Sequence, residues 1–176
     1  MRVLVQLPAD QPASTSPANI YPLQIAFDSL TVRSYRLLSE SHVPPEAGNN
    51  SAAHVMWYEV VPNGAAPEQS RETGRSVATV TLPNARFISQ TVGPFDSSKL
   101  RALDRGQPWE NARDDFVFET AIVGFGLLLR GEENLGNLNH ELVLQLAEKA
   151  QGNAAKNDER TKFIKLVQEA RRVTGI

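Results

Sequence analysis

The chain has 176 residues, of which 41% are hydrophobic and 22% are charged, so it can bury a core in one domain or in two small ones. Eighteen basic and 20 acidic residues give a net charge of -2, and this near balance argues against nucleic-acid binding, which is usually accompanied by a basic excess or stripe. Cysteine is absent, which excludes disulfides, thiolate metal sites and cysteine nucleophiles.

The apolar segments are too short for a membrane span, which requires about 18 apolar residues. The longest run, from Ala121 to Leu129, ends at Arg130. At the N-terminus, the stretch from Met1 to Leu7 is too short for the apolar region of a signal peptide. We therefore predict no direct membrane span, and we expect any export signal to have been removed or never to have been present.

The first half of the chain has the pattern of a β-rich domain, with alternating or β-branched segments bounded by turn residues. The predicted strands are Arg2–Leu7, Leu23–Phe27, Val32–Leu38, His54–Val61, Ser76–Leu82 and Arg86–Val92. We expect two hairpins, one from the second and third strands and one from the last two. The segment from Glu40 to Ala53 contains Pro-Pro and Gly-Asn-Asn and is predicted to be a loop.

The second half changes to helical periodicity. Three amphipathic helices are predicted at about Asp115–Arg130, His140–Gln151 and Glu159–Val173. The expected N-caps are Asp114, Asn139 and Asp158, and Gly131 and Gly152 end the first two helices.

The apolar faces of these helices are predicted to be buried. On the first helix this face comprises Phe118, Ala121, Ile122, Phe125, Leu128 and Leu129, and on the third it comprises Phe163, Leu166, Val167 and Ala170. Gly124 and Gly126 interrupt the first helix at about 1 kcal/mol each relative to alanine, which indicates close approach of another element.

These elements predict an α+β fold, an N-terminal antiparallel β-sandwich or curled sheet followed by a C-terminal three-helix unit. The predicted divisions are an extended N-terminal segment or linker (1–19), a β-rich part (20–95), a connector (96–112) and the three-helix part (113–176). Within the connector, Ser97 to Leu103 is expected to form one helical turn. Residues 20–176 are expected to be one structural unit.

We find no catalytic, cofactor-binding or metal-binding pattern and predict none of the three. His42, His54 and His140 are too far apart in sequence for a metal-ligand spacing. A hydrolase site near His54 and Glu59 remains an alternative. Against it, an odd spacing of five on a strand places these two side chains on opposite faces.

A few residues are candidates for contact with a protein partner. Trp109 lies in the connector, where an exposed tryptophan can anchor a partner or can cover the seam between sheet and helices. Met1, Arg2 and Val3 begin a polar, Pro-rich segment that we predict to extend along a partner. Deletion of residues 1–19 should then weaken association and leave the fold intact.

The helical half resembles a known family. The run DFVFETAIVGFGLLLRG at 115–131, the helix ELVLQLAEKAQG at 141–152 and the segment RTKFIKLVQEA at 160–170 resemble the C-terminal domain of bacterial von Willebrand factor A-domain proteins. The front half is similar too, through Val32–Leu38 and the WYEVVP run at 57–62. The resemblance covers about residues 20 to 173.

That resemblance implies a non-catalytic, accessory or structural subunit that acts through protein–protein contacts on a larger envelope- or membrane-associated assembly. It implies a periplasmic or cell-envelope location, with the cytoplasm as the alternative. The A domain and its Asp-x-Ser-x-Ser metal-dependent adhesion loop are missing, so metal binding is not carried over. The alternative is an excised C-terminal part of a longer A-domain protein.

Overall fold

The computed structural model describes residues 1–6, 23–43, 53–64, 74–81, 99–152 and 158–174. These residues belong to two compact units, Met1–Gln107 and Pro108–Ile176. Among the described residues, the strands lie in the first unit and the helices lie in the second. The α+β class predicted from the sequence is therefore confirmed.

The described residues of the first unit form two antiparallel three-stranded sheets. Their strands are β1 (Arg2–Gln6), β2 (Gln24–Phe27), β3 (Val32–Val43), β4 (Ala53–Pro62), β5 (Arg75–Thr81) and β6 (Lys99–Asp104). One sheet has the order β1-β4-β3 and the other β2-β5-β6. Since β2 and β3 lie in different sheets, the predicted hairpin between them is wrong.

The turn after β2 explains how the chain changes sheets. The backbone N–H of Asp28 still donates to the carbonyl of Val77 in β5, at 3.0 Å. The Asp28 carboxylate then accepts from the N–H of Leu30 at 3.0 Å, and its carbonyl accepts from the N–H of Val32 at 2.8 Å. This aspartate-capped turn ends the pairing with β5 and starts β3 on β4.

Some strand limits differ from those predicted. β3 continues to Val43, so residues 40–43 are strand although a loop is predicted there. β6 occupies Lys99–Asp104, where a helical turn is predicted, because pairing with β5 overrides a weak local helical pattern. The predicted strand Arg86–Val92 lies outside the described residues.

The facing sides of the two sheets pack against each other. Val3 and Met56 of the first sheet form a buried cluster with Val80 of the second. The ring of Phe27 on β2 stacks on Tyr35 of β3, with centroids 3.8 Å apart, and meets Tyr58 of β4 edge-on at 5.4 Å. This packing forms the core of an antiparallel sandwich.

Arg75 joins both sheets at one end of the sandwich. Its guanidinium donates to the carbonyls of Asn63 and Gly64, which follow β4, at 3.3 and 3.4 Å. It also donates to the Asp104 carboxylate on β6 at 3.0 Å. Because the Arg75 side chain is 12% exposed, this charged hydrogen bond is partly shielded from water.

Where the structure describes the second unit, it contains a 3-10 turn (Trp109–Asn111) and three helices, α1 (Asp114–Leu129), α2 (His140–Lys149) and α3 (Asp158–Thr174). The predicted cap of α2 is confirmed, since the Asn139 side chain accepts from the N–H of Leu142 at 2.8 Å. The cap predicted for α1 is wrong by one residue. Arg113 occupies the N-cap, and Asp114 begins the helix, where its charge favours the helix dipole.

One face of each helix contributes to the core of the second unit. This core contains Val117, Phe118, Ala121, Phe125, Val143, Leu144, Ala147, Ala150, Ile164 and Val167. The rings of Phe118 and Phe125 both meet Phe163 edge-on, at 5.3 and 5.7 Å. Arg160 on α3 donates to the Asp115 carboxylate on α1 and to the Ala150 carbonyl after α2, and so connects all three helices.

Candidate functional site

Two large apolar side chains of α1 lie outside the helical core and are exposed to solvent. Ile122 is 45% exposed and Leu129 is 67% exposed. The prediction that these two residues belong to the buried face is therefore wrong. On α3 the same is true of Leu166, which is 57% exposed, and Ile164 is buried instead.

Gly124 and Gly126 differ sharply, although both interrupt α1. A Cβ built on Gly124 would lie 3.0 Å from Cδ1 of Leu138 and 3.5 Å from Cγ2 of Val143, which confirms the predicted close approach there. A Cβ built on Gly126 would meet no heavy atom within 4 Å in the described part of the chain. Among the described residues, therefore, none packs over Gly126.

Ile122, Gly126 and Leu129 form one stripe, because residues four and three apart on a helix lie above one another. We call these three residues the α1 patch. The patch is about 10 Å long, from the helical rise of about 1.5 Å per residue. Glu119 precedes it by one turn, and Arg130 follows it at the C-terminal end of the helix.

Trp109 lies beside the C-terminal end of α2. The Nζ of Lys149 is 4.4 Å from the centroid of the Trp109 ring and donates to the Glu110 carbonyl at 2.7 Å. This cation–π contact and hydrogen bond hold the 3-10 turn on the helix. Trp109 is 48% exposed, and its role as a partner contact stays a prediction.

The other predicted partner contacts belong to an edge of the first sheet. Met1 donates through its ammonium group to the Tyr58 carbonyl at 2.6 Å, and burial lowers the pKa of that amino group. Arg2 lies opposite Trp57 in the register of β1 and β4. Val3 is 8% exposed and belongs to the sandwich core. Partner contact at these three residues stays a prediction, and at Val3 it would require displacement of a core side chain.

His54 and Glu59 do not act together in this structure. Nε2 of His54 is 2.7 Å from Oε1 of Glu40 on β3, while Glu59 is paired with Arg36 at 2.5 Å. The irregularity in this pairing places its extra residue on β3, at Leu38, and the β4 residues from His54 to Glu59 pair consecutively. The two side chains therefore lie on opposite faces of the sheet. In the described ranges, no group of three histidine, aspartate or glutamate residues could hold a metal ion.

Tyr58 on β4 is a titratable side chain whose pKa is shifted by its surroundings. Burial, followed by the nearby Glu40 carboxylate and Tyr35, raises the pKa of Tyr58 above its usual value of 10.0. Since the raised pKa favours the protonated phenol in the folded protein, the associated stability is present below pH 10 and is lost as pH rises through the folded pKa.

We expect Glu40→Gln to lower the pKa of Tyr58 part of the way towards its usual value, because burial remains. Absorbance near 295 nm measures this titration in a Tyr21→Phe, Tyr35→Phe background, in which Tyr58 is the one tyrosine left in the sequence. A matched Glu110→Gln control in the other unit should leave it unchanged. An unaltered Tyr58 titration in Glu40→Gln would contradict the assigned electrostatic cause.

None of the helices in the described ranges is both long enough and apolar enough to cross a bilayer. Nothing among the curated proteins or the solved structures matches the chain. A family model does match it, over residues 45–173, which include β4 to β6 and all three helices. The match covers well over half of the sequence, and the chain therefore belongs to the family described as uncharacterized protein YfbK, C-terminal.

Proposed function

We propose that this chain is a non-catalytic protein–protein interaction module. In this proposal it serves as an accessory or structural subunit docked on a larger envelope- or membrane-associated assembly. The observation that carries the proposal is the α1 patch, in which exposed Ile122 and Leu129 flank a glycine over which no described residue packs.

Single exposed hydrophobic residues are ordinary on protein surfaces. The α1 patch differs because two large apolar side chains and a mid-helix glycine share one stripe. The glycine costs about 1 kcal/mol relative to alanine, and no contact in the described part of the chain requires it. A partner that approaches the helix closely at this point would explain both the glycine and the exposed side chains.

Trp109 is a second contact that supports the same function. Its ring is held in place by Lys149 and is about half exposed. A rigid, partly exposed tryptophan offers a large contact area at a small entropic cost, as at the energetic centres of many protein interfaces. Met1 and Arg2, at the sheet edge, belong to the same proposal as weaker contacts.

Family membership agrees with a domain of a longer protein. The resemblance to the C-terminal domain of von Willebrand A-domain proteins supports a periplasmic or envelope location and docking next to such a domain. In the alternative, this chain is the C-terminal part of one longer protein of that kind. The intact mass of the native gene product separates the two arrangements.

The α1 patch can be tested with a matched pair of leucines on different helices. We expect Leu129→Gln to reduce co-purification of partners from the native source by about tenfold, because it removes an apolar contact at the interface. The control is Leu166→Gln on α3, which is exposed to a similar degree and lies outside the patch. Equal co-purification with both variants, measured by quantitative mass spectrometry, would reject the α1 patch as the docking surface.

A further inference from the structure

We propose that Asn63 is a site of self-modification, in which its side-chain amide is attacked by the backbone nitrogen of Gly64, and that Arg75 promotes the reaction. The reaction is deamidation through a cyclic imide, and its products are aspartate and isoaspartate at position 63. The site belongs to the sandwich unit, whereas the α1 patch belongs to the helical unit, so this proposal is independent of the proposed function.

Asn63 and Gly64 form the one Asn-Gly pair in the sequence. They directly follow β4, and both are exposed. Asparagine is a chemically labile residue, and a glycine after it has no side chain to hinder attack by its nitrogen. A Cβ built on Gly64 would meet no heavy atom within 4 Å among the described residues. Within the described part of the chain, therefore, no side chain or backbone group shields this pair from reaction.

The backbone of Asn63 is held firmly, whereas its side chain is held loosely. Its backbone N–H donates to the Thr31 carbonyl at 2.7 Å. Its Nδ2 donates to the Leu30 carbonyl at 3.4 Å, which is a long and therefore weak hydrogen bond on the exposed surface. Rotation of the side chain costs this weak bond and can bring Cγ towards the Gly64 nitrogen while the turn stays in place.

The hydrogen bond from Arg75 favours formation of the nucleophile. The Gly64 nitrogen attacks after its N–H has lost a proton, and resonance shares the resulting negative charge with the oxygen of the same peptide unit, the Asn63 carbonyl. Nη1 of Arg75 donates to that oxygen at 3.3 Å. A charged donor that is already in position stabilises such an anion, as the donors of an oxyanion hole do. Asp104 accepts from Nη2 of Arg75 at 3.0 Å and keeps the guanidinium oriented.

The reaction balances with water as the co-reactant. The proton of the Gly64 N–H passes to hydroxide, the nitrogen bonds to Cγ of Asn63, and the bond from Cγ to Nδ2 breaks. Ammonia leaves with a proton from water. Water then opens the cyclic imide, and addition at Cγ gives aspartate, whereas addition at the main-chain carbonyl carbon gives isoaspartate.

Both products alter the contact between the two sheets. Isoaspartate adds a methylene group to the main chain before Gly64, whose carbonyl also accepts from Arg75 at 3.4 Å. Either product replaces an amide donor with a carboxylate, which cannot donate to the Leu30 carbonyl. Isoaspartate also carries a free α-carboxyl group, the group that isoaspartyl O-methyltransferases methylate, so an enzyme of this class provides a specific probe.

The first test incubates the purified full chain between neutral pH and about pH 9, followed by peptide mapping with mass spectrometry. Residue 63 should gain one mass unit, and labelled methyl transfer by an isoaspartyl O-methyltransferase should detect isoaspartate there. The rate should follow the hydroxide concentration, rising about tenfold for each pH unit, because the nucleophile is the deprotonated amide. Asn63→Gln should show no gain, since glutamine requires a larger and less favourable ring. A folded wild-type chain that stays unmodified at residue 63 would overturn the proposal.

The second test isolates the contribution of Arg75. In the folded chain, Arg75→Gln should slow deamidation at residue 63 by about tenfold, because it removes the charged donor. In urea the variant and wild type should react equally, since the contact exists in the folded state. Arg101→Gln, which removes an exposed arginine of β6, is the matched control and should leave the rate unchanged.

The fluorescence of buried Trp57 in a Trp109→Phe background shows whether each variant is folded. If Arg75→Gln does not fold, Arg75→Lys takes its place, because it keeps the charge beside Asp104 while it loses the forked donor. A folded Arg75 variant that reacts as fast as wild type, or faster, would overturn the assigned role of Arg75.

Discussion

Replacement of Phe125 with alanine is expected to lower the free energy of unfolding of the helical unit by about 3 to 5 kcal/mol, the usual range for a buried aromatic residue. Phe125 is 4% exposed and lies at the centre of the helical core. Its ring meets Phe163 edge-on at 5.7 Å, so the substitution removes both buried area and an aromatic contact. Urea unfolding followed by circular dichroism at 222 nm measures the change.

Phe116→Ala on the same helix is the matched control. Phe116 is 37% exposed, so its truncation should cost less, about 1 kcal/mol. Both variants remove the same atoms from α1 and change its helix propensity equally. If Phe116→Ala destabilised the protein as much as Phe125→Ala, the assignment of the buried face of α1 would be wrong.

Val3→Asp is expected to destabilise the sandwich unit by about 3 kcal/mol, because it buries a carboxylate without a partner. Val3 lies opposite Met56 in the register and contributes to the cluster that joins the two sheets. The chain has two tryptophans, one in each unit. In a Trp109→Phe background, the fluorescence of buried Trp57 therefore follows the unfolding of the sandwich alone.

Leu30→Asp serves as the control for Val3→Asp, since Leu30 is 83% exposed in the turn after β2 and should tolerate the charge. An unfolding midpoint of Val3→Asp equal to that of the control would mean that β1 is dispensable. The expectation from sequence, that residues 1–19 can be deleted without loss of the fold, would then survive. Because β1 pairs with β4, we expect instead that deletion of residues 1–6 destabilises the fold.

The bounds of the helices could be predicted from the sequence because helix ends depend on local chemistry. Asn139 caps α2 as predicted, and Gly131 and Gly152 adopt the positive φ values, 66° and 64°, that favour glycine after a helix. The exact start of α1 was missed by one residue, because Asp114 has the chemistry of an N-cap but lies in the first turn, where its charge favours the helix dipole. Short-range signals therefore located these helices within one or two residues.

The exposure of the α1 patch could not be predicted from the sequence in the same way. Helical periodicity shows that Ile122 and Leu129 lie at the edge of an apolar arc, but it does not show how far α2 and α3 reach around that arc. The two mid-helix glycines distinguish the buried face of α1 from the exposed one better than helical periodicity does. Gly124 has a neighbour at 3.0 Å and Gly126 has none within 4 Å in the described part of the chain, so only the first is explained by the fold.

Strand pairing was the other feature that could not be predicted from the sequence. The alternation in residues 23–27 and 32–38 correctly indicated strands, but local pattern does not identify their partners. The Asp28 turn moves the chain from one sheet to the other, and the partner of β2 is β5, far away in sequence. The predicted hairpin failed because these long-range pairings compete with the local one.

β1 cannot acquire its hydrogen-bonding partner until β4 has been synthesised, because the bonded groups of Met1 and Tyr58 are 57 residues apart in sequence. Contacts of such long range slow folding, whereas Gln151 and Thr161, which connect α2 and α3, are only 10 residues apart. We therefore expect the helical unit to fold faster than the sandwich. Until β4 is available, β1 is an unpaired strand, and nascent or refolding chains are most exposed to aggregation at that stage.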